Sequence, residues 1–281
     1  MSSIETIVND IDKLKPVPRV MHKIMAAVSD PNSSMNEISE IIKYDQALTA
    51  TLLKVCNSSY YSLPGEVDSV HKAIMYLGLQ QVVDIVLMGS SSDNFKKGQK
   101  GYDLEDGNLW KAAVTSALIS QELAEKEGIE NSHFLFTAAL LKDIGKVILS
   151  QYVAEEFDKI KTLVSDKGYS FGEAEKKVLG IDHAQLGALV AKNWGFNSKM
   201  VDIIKHHHRP REAREAPHEA SIIYMADILC MMMGMGIGAD GLAYRFHKDV
   251  MSELKFTEKD FQEIIIESSE KIKKVDELLG G

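Results

Sequence analysis

Phe134-Leu-Phe-Thr-Ala-Ala-Leu-Leu-Lys-Asp-Ile-Gly-Lys-Val-Ile-Leu149 is the stretch on which the reading of this chain turns. Its density of apolar residues predicts one central, deeply buried helix. Lys142, Asp143 and Lys146 interrupt the apolar run. Charges are almost never fully buried without a partner. Either Asp143 faces solvent or it meets a cation inside, and its neighbours Leu141, Ile144 and Ile148 favour the inside. Asp227, within Ile222-Ile-Tyr-Met-Ala-Asp-Ile-Leu229, poses the same question. Two aspartates in the two most apolar helices point to one shared polar site.

Helical periodicity continues outward in both directions, and strand alternation is nearly absent. Toward the N-terminus, Ile4, Ile7, Val8, Ile11 and Leu14 form one stripe, which Pro16 and Pro18 stop. A second stripe runs from Val20 to Val28 and ends at Asp30-Pro31. Ser34 with Glu37 has capping-box spacing, and Asp45 can cap a helix carrying Leu48, Leu52 and Val55. The loop Asn57 to Gly65 is a strong break, Ser69 caps a short helix that stops at Gly78, and another helix follows from Leu79. From Asp93 to Gly107 the chain turns polar, glycine-bearing and acidic, as a linker or mobile loop would. Beyond it, Leu109 to Leu118 begins a long helix that Gly128 ends. Ser170 with Glu173 is a second capping box, Asp182 can cap a helix starting at His183, and Ser198 can cap one running into His206-His207-His208. Thr257 with Asp260 caps a last helix. Gly234, Gly236 and Gly238 read as a flexible exit from the methionine-rich helix before them. The expectation is an all-α, multi-helix protein in three parts: an N-terminal helical bundle over 1–92, a connection over 93–107 and a helical core over 108–281.

The 281 residues are 45% hydrophobic and 26% charged, which excludes a wholly disordered chain. Lysine and arginine total 32 against 41 aspartates and glutamates, a net charge of −9. Such a surface repels phosphate backbones on average and weighs against nucleic acid as a partner. A DNA-binding role for a short-helix unit of the first half lacks the basic stripe it needs. Cys56 and Cys230 are too few and too far apart for a disulfide framework or a four-thiolate zinc site, and read as reduced, buried thiols. The N-terminus has no signal-peptide pattern, and the most apolar stretch, Ile228 to Ile237, is short for a membrane span and broken by glycines. The expected location is cytoplasmic, with no membrane role.

Nine histidines include His183, His206, His207 and His208, and neutral imidazole is a common ligand for zinc, iron or nickel. Consecutive helical residues point about 100° apart, so at most one or two of the adjacent three can serve one centre while the segment stays helical. Protonated, the triplet is also an ordinary helix end, favoured by the helix dipole. There is no phosphate-binding P-loop, no dinucleotide-binding glycine motif after a strand and no nucleophile elbow.

Further signatures carry a family resemblance. In the first half they are Leu14-Lys-Pro-Val-Pro-Arg-Val, Ser29-Asp-Pro, Ile41-Ile-Lys-Tyr-Asp45-Gln-Ala-Leu-Thr, Leu53-Lys-Val-Cys-Asn57-Ser-Ser-Tyr-Tyr61 and Val70-His-Lys-Ala-Ile-Met-Tyr-Leu-Gly78. In the second half they are Leu109-Trp110, Ala139-Leu-Leu-Lys-Asp-Ile-Gly-Lys146, Asp182-His-Ala-Gln-Leu-Gly187, Trp194-Gly-Phe, His207-His208-Arg-Pro210 and Ala226-Asp227. Together, from about Leu14 to about Met233, they resemble the HDOD domain, the HD-related output domain of bacterial signalling proteins. The resemblance implies an N-terminal helical bundle packed with a degenerate HD-like helical core.

HD phosphohydrolases use an early histidine, a His-Asp pair and a later aspartate to hold one or two metals that activate a water. This chain has Ala112 where the early histidine would stand and Lys142-Asp143 in place of the His-Asp pair. The resemblance then implies a residual polar site of Lys142, Asp143 and Asp227, with His183, His207 and His208 at additional histidine positions seen in some HD-type proteins. Asp143, His183, His207 and Asp227 are the candidate ligands for a residual divalent metal, which is not expected at full occupancy. The ammonium of Lys142 or Lys146 is a candidate replacement for the lost ion beside Asp143 and Asp227. The implied function is a non-catalytic signal-transduction module, in a stand-alone form, that binds a partner protein or a small regulatory ligand. Candidate contacts are the loop Asn57 to Gly65, with Tyr60 and Tyr61, and the connection Asp93 to Gly107. The alternative is a residual metal-dependent phosphohydrolase acting on a nucleotide or cyclic dinucleotide.

Overall fold

A computed structural model of the chain describes residues 4–13, 46–58, 69–95, 97–129, 132–241 and 247–279, with single positions between 24 and 67. The Pro16–Pro18 stop, the Val20–Val28 stripe, the Asp45 cap, Glu37 of the first capping box and Tyr60 lie outside them. The chain divides into two compact units, Met1–Leu14 with Asn94–Ser269, and Lys15–Asp93 with Glu270–Gly281. Among the described residues there is no strand, only one isolated bridge between Gln99 and Leu104. No single described helix is long and apolar enough to cross a membrane.

The helices are α1 (Ile4–Asn9), α2 (Gln46–Cys56), α3 (Val70–Leu77), α4 (Leu79–Phe95), α5 (Asn108–Lys126), α6 (Ser132–Leu141), α7 (Ile144–Glu155), α8 (Phe157–Lys167), α9 (Phe171–Leu179), α10 (His183–Asn193), α11 (Ser198–His206), α12 (Pro217–Met232), α13 (Lys248–Glu253) and α14 (Glu258–Leu279). Local signals set many of their ends. Ser69 Oγ accepts from the Lys72 N–H, and Gly78 closes α3 at φ +80°. In the smaller unit, the Asn57 side chain holds Val67 at both backbone groups, each at 2.7 Å, which closes the loop after α2. Ser170 and Glu173 form the reciprocal capping box of α9, and Asp182 accepts from the Gln185 N–H to start α10 at His183. Thr257 and Asp260 exchange the matching pair of bonds at α14. The cap of α11 is Asn197, one residue before the expected Ser198, with its side chain on the Met200 N–H.

Three expectations are corrected. The stretch Phe134–Leu149 is two helices, with a turn at Lys142–Asp143 between α6 and α7. Consecutive residues of a continuous helix point about 100° apart, whereas the turn lets both charged side chains face inward. The segment 97–107 is packed and ordered by its neighbours. Gly101 and Tyr102 are buried, and a Cβ on Gly101 would lie 2.2 Å from the Ser150 carbonyl oxygen. Finally, α1 belongs to the same unit as the second half, where Asp10 accepts from Tyr152 Oη at 2.7 Å and Gln151 Nε2 at 2.8 Å.

In the larger unit, α5 lies against α6 and α12, and α10 against α7 and α11. The α7–α10 approach needs glycine. A Cβ on Gly145 would sit 2.0 Å from the His183 carbonyl oxygen and 2.7 Å from the Gly187 nitrogen. This contact sets Asp143, just before α7, beside His183 at the head of α10.

Candidate functional site

The turn between α6 and α7 delivers Lys142 and Asp143, each 2% exposed, into the interior. Lys142 Nζ pairs with Asp143 Oδ2 and lies 2.6 Å from Asp227 Oδ1 on α12. One helical turn on, Lys146 Nζ lies 2.9 Å from Asp143 Oδ1 and 2.7 Å from Asp240 Oδ2. The result is an alternating chain, Asp227–Lys142–Asp143–Lys146–Asp240. Burial opposes the charge on both lysines, but Asp143 with Asp227 or Asp240 overcomes it and raises both ammonium pKa values. Burial likewise opposes ionised Asp143, and Lys142 and Lys146 outweigh it, so its carboxyl stays well below the usual range.

Beside this chain stand three imidazoles. α11 ends at His206, so His207 and His208 leave the helix and both reach the centre. His206 turns away and pairs with Asp202 at 2.9 Å. His207 is fully buried; its Nδ1 contacts the Ile204 carbonyl at 2.7 Å, which fixes the proton on Nδ1 and leaves a lone pair on Nε2. That Nε2 has no hydrogen-bond partner among the described residues. His183 Nδ1 lies 2.7 Å from Glu175 Oε2, and its Nε2 lies 2.7 Å from His208 Nε2. Glu175 is itself fully buried and accepts from Tyr102 Oη at 2.5 Å. Burial lowers the His207 pKa to about 3 and drives that of His208 well below the ordinary value. Burial also opposes charge on His183, yet the Glu175 carboxylate prevails and raises its pKa. Of the two facing imidazoles, His183 is therefore the more basic.

All six residues expected at the polar site, Lys142, Asp143, His183, His207, His208 and Asp227, come together. Asp143 Oδ1 is 3.9 Å from both His183 Nε2 and His207 Nε2. Glu175, Tyr102 and Asp240 complete it and were not singled out in the sequence. The run Gly234–Gly238 is not a loose exit. The Ala239 N–H donates to the Tyr102 carbonyl at 2.8 Å, and a Cβ on Gly238 would lie 2.1 Å from that oxygen. This docking places Asp240 on Lys146. A cavity of about 390 Å³ opens at His183 and His208, with Phe171 and Pro210 in its wall and Lys176, Lys205 and Arg209 around it.

The HD arrangement of metal ligands does not fit the aspartates here. A protonated amine offers no lone pair to a metal, and Lys142 stands against both Asp143 and Asp227. Ala112, where the early histidine would stand, has no group that can ligate a metal, and it packs closely on Gly236, where an added Cβ would lie 2.5 Å from Ala112 Cβ. Asp143 and Asp227 therefore leave the set of metal ligands expected from the sequence. The imidazoles pass the same test: one nitrogen from each of His183, His207 and His208 lies within 4.8 Å of the others.

Comparisons with known proteins agree with this architecture. The HDOD domain family model matches residues 14–210. An HDOD domain protein of unknown function from Geobacter sulfurreducens shares 26% identity and a TM-score of 0.75, covering 98% of this chain and 99% of that one. A candidate phosphohydrolase from Shewanella amazonensis SB2B shares the fold at 22% identity and TM-score 0.73, covering 97% of each chain. A candidate signal transduction protein from Marinobacter aquaeolei VT8 shares it at 21% identity and TM-score 0.76, covering this whole chain and 61% of that protein. An uncharacterized protein of Treponema pallidum (strain Nichols) is 22% identical over 214 residues, 75% of this chain, and the chain spans 40% of that relative's length. The family pattern runs through both units and through the turn that carries Asp143, and the chain belongs to the HDOD domain family.

Proposed function

We propose that this chain is a non-catalytic signal-transduction module of the cytoplasm, which responds to a small regulatory ligand bound in the cavity beside His183 and His208. The observation that carries this reading is Lys142 Nζ lying against both Asp143 and Asp227. A hydrolytic metal needs those carboxylates as ligands and an open position for water. Here their charge is met by an ammonium group that can neither ligate nor activate water. The cavity supports a ligand with acidic groups. Its Asp182 and Glu173 are spent as helix caps and its Asp240 on Lys146, while Lys176 and Lys205 make no ion pair among the described residues. A binding partner on the loop Asn57–Gly65 belongs to the same proposal. The connection 93–107 is a poorer contact surface than its sequence promised, since Gly101 and Tyr102 are buried.

The alternative, a residual phosphohydrolase, draws on the three converging imidazoles and on the phosphohydrolase named among the structural relatives. Turnover decides between the two. Tag-free protein is assayed with cyclic dinucleotides, nucleotides and bis-p-nitrophenyl phosphate in the presence of manganese, magnesium, iron(II) or nickel. The expected outcome is no hydrolysis above the metal-only control. Hydrolysis that disappears in Asp143→Asn overturns the proposal.

A further inference from the structure

We infer that Asp240 is a built-in competitor for the ligand of this cavity: its carboxylate holds, on Lys146, the place that an oxyanion group of the bound molecule takes, and its displacement releases the segment Gly234–Gly241. The inference rests on the reading of the cavity as a site for an acidic ligand, and adds how that ligand is sensed. The first support is position. Asp240 lines the cavity and Lys146 does not, so the carboxylate covers the ammonium from the side on which a ligand arrives. Lys146 Nζ lies 2.7 Å from Asp240 Oδ2. The other oxygen, Oδ1, is buried and has no hydrogen-bond partner among the described residues. A buried acceptor without a partner is costly, so this carboxylate is held less firmly than one bonded at both oxygens.

The second support is charge. Without Asp240, the ammonium groups of Lys142 and Lys146 still face the carboxylates of Asp143 and Asp227, two against two. Asp240 is the surplus carboxylate at the end of the chain. Its departure strands no buried charge, and an incoming oxyanion restores the same charge on Lys146. The third support is the backbone that carries it. Gly234 and Gly236 have φ of +77° and +64°, in the left-handed region that glycine enters freely. Between Met231 and Gly241 only Gly238 is buried, and a segment with so few buried groups opens at low cost. It docks on the Tyr102 carbonyl, which accepts from the Ala239 N–H at 2.8 Å. Tyr102 also donates through Oη to Glu175, whose other oxygen holds His183 in the cavity wall. A molecule bound against His183 and the docked segment therefore share one support, Tyr102.

The test combines calorimetric titration with hydrogen exchange on the full-length chain. Inorganic phosphate and citrate are the probes, and they separate the phosphate from the carboxylate form of an oxyanion. In the wild type, the probe that binds is expected to speed amide exchange over 234–241, whereas a ligand that only fills the cavity slows it or leaves it unchanged. Asp240→Asn and Ala239→Pro are each expected to exchange faster over this segment without a probe. Each is also expected to bind the probe about tenfold tighter, because the closed form no longer withholds Lys146. Ala239→Pro keeps the carboxylate and removes the N–H that docks the segment, so a gain there is not the mere loss of a negative charge. Binding confined to the variants is the same expectation at its limit. A probe that binds the wild type without speeding exchange over 234–241 overturns the inference, and so does an affinity unchanged in either variant. Binding of neither probe to the wild type or to a variant removes the acidic-ligand reading itself, and the inference falls with it.

Discussion

Two neighbouring regions of one buried site have met the same electrostatic problem in opposite ways. Around Asp143, Asp227 and Asp240, the negative charge is answered from within the chain by Lys142 and Lys146. Around His183 and His207, each 3.9 Å from Asp143, and the neighbouring His208, ring nitrogens converge, and His207 Nε2 has no hydrogen-bond partner among the described residues. The difference teaches that two halves of one buried site can settle their charge by different means. Two lysines close the carboxylate side, because an ammonium can take the place of a metal ion there. It cannot replace one at nitrogen donors, and that side stays open toward the cavity.

The largest effect that breaks this comparison is expected at Lys142. Lys142→Ala leaves Asp143 and Asp227 without their shared cation, and removing one partner of a buried pair costs about 3–5 kcal/mol. For a unit of this size that lowers the melting temperature by roughly 10 °C, since each kcal/mol is worth about 2–4 °C. Calorimetry checks it, and an unchanged melting temperature means Lys142 is not the internal counter-ion. Gly145→Ala comes next. Its Cβ would press on the His183 carbonyl, and overpacking of this kind costs about 1–3 kcal/mol. The same calorimetry checks it, and an unchanged melting temperature means the α7–α10 approach does not need glycine.

The smallest effect concerns the histidine that stays outside. Asp202 holds His206 at 2.9 Å and accepts from the Arg214 and Glu215 N–H groups at 2.7 and 2.8 Å. Burial opposes its charge, but the Glu215 and Arg214 N–H groups and His206 prevail and lower its pKa. A lowered carboxyl contributes stability that is present above its unfolded value of about 3.9 and is lost as pH falls below it. Asp202→Asn should therefore cost about 1 kcal/mol at neutral pH, where charge-assisted bonds are intact. Wild type and variant should converge in melting temperature in acid. A difference that persists at low pH removes the electrostatic account.

The helix ends show where the sequence is a sufficient guide. Ser69, Ser170 and Asp182 satisfy backbone donors two or three residues away, so their role is settled by local spacing and survives any tertiary arrangement. Asp143 and Asp227 were legible for another reason, since charges in apolar helices are costly unless they meet, whereas Lys142 and the three histidines joined them only through the resemblance to the HDOD domain. The partners they meet were less legible. Glu175 looks like one more acidic residue of an amphipathic helix, and Asp240 follows a glycine run that resembles a loose exit. Tyr102 sits 73 residues from Glu175 and inside a polar stretch. No local pattern can report such pairings.

The sequence by itself determined that the chain is helical, where many helices begin, and that Asp143 and Asp227 would need a partner inside. Those features follow from periodicity, capping and the cost of burying charge. Only the tertiary structure decided that Phe134–Leu149 breaks at Lys142–Asp143, that α1 joins the second half, and that both Lys142 and Lys146 lie against the aspartates. Those outcomes depend on which backbones can touch, as at Gly145 and Gly238, and on contacts between residues far apart in the chain.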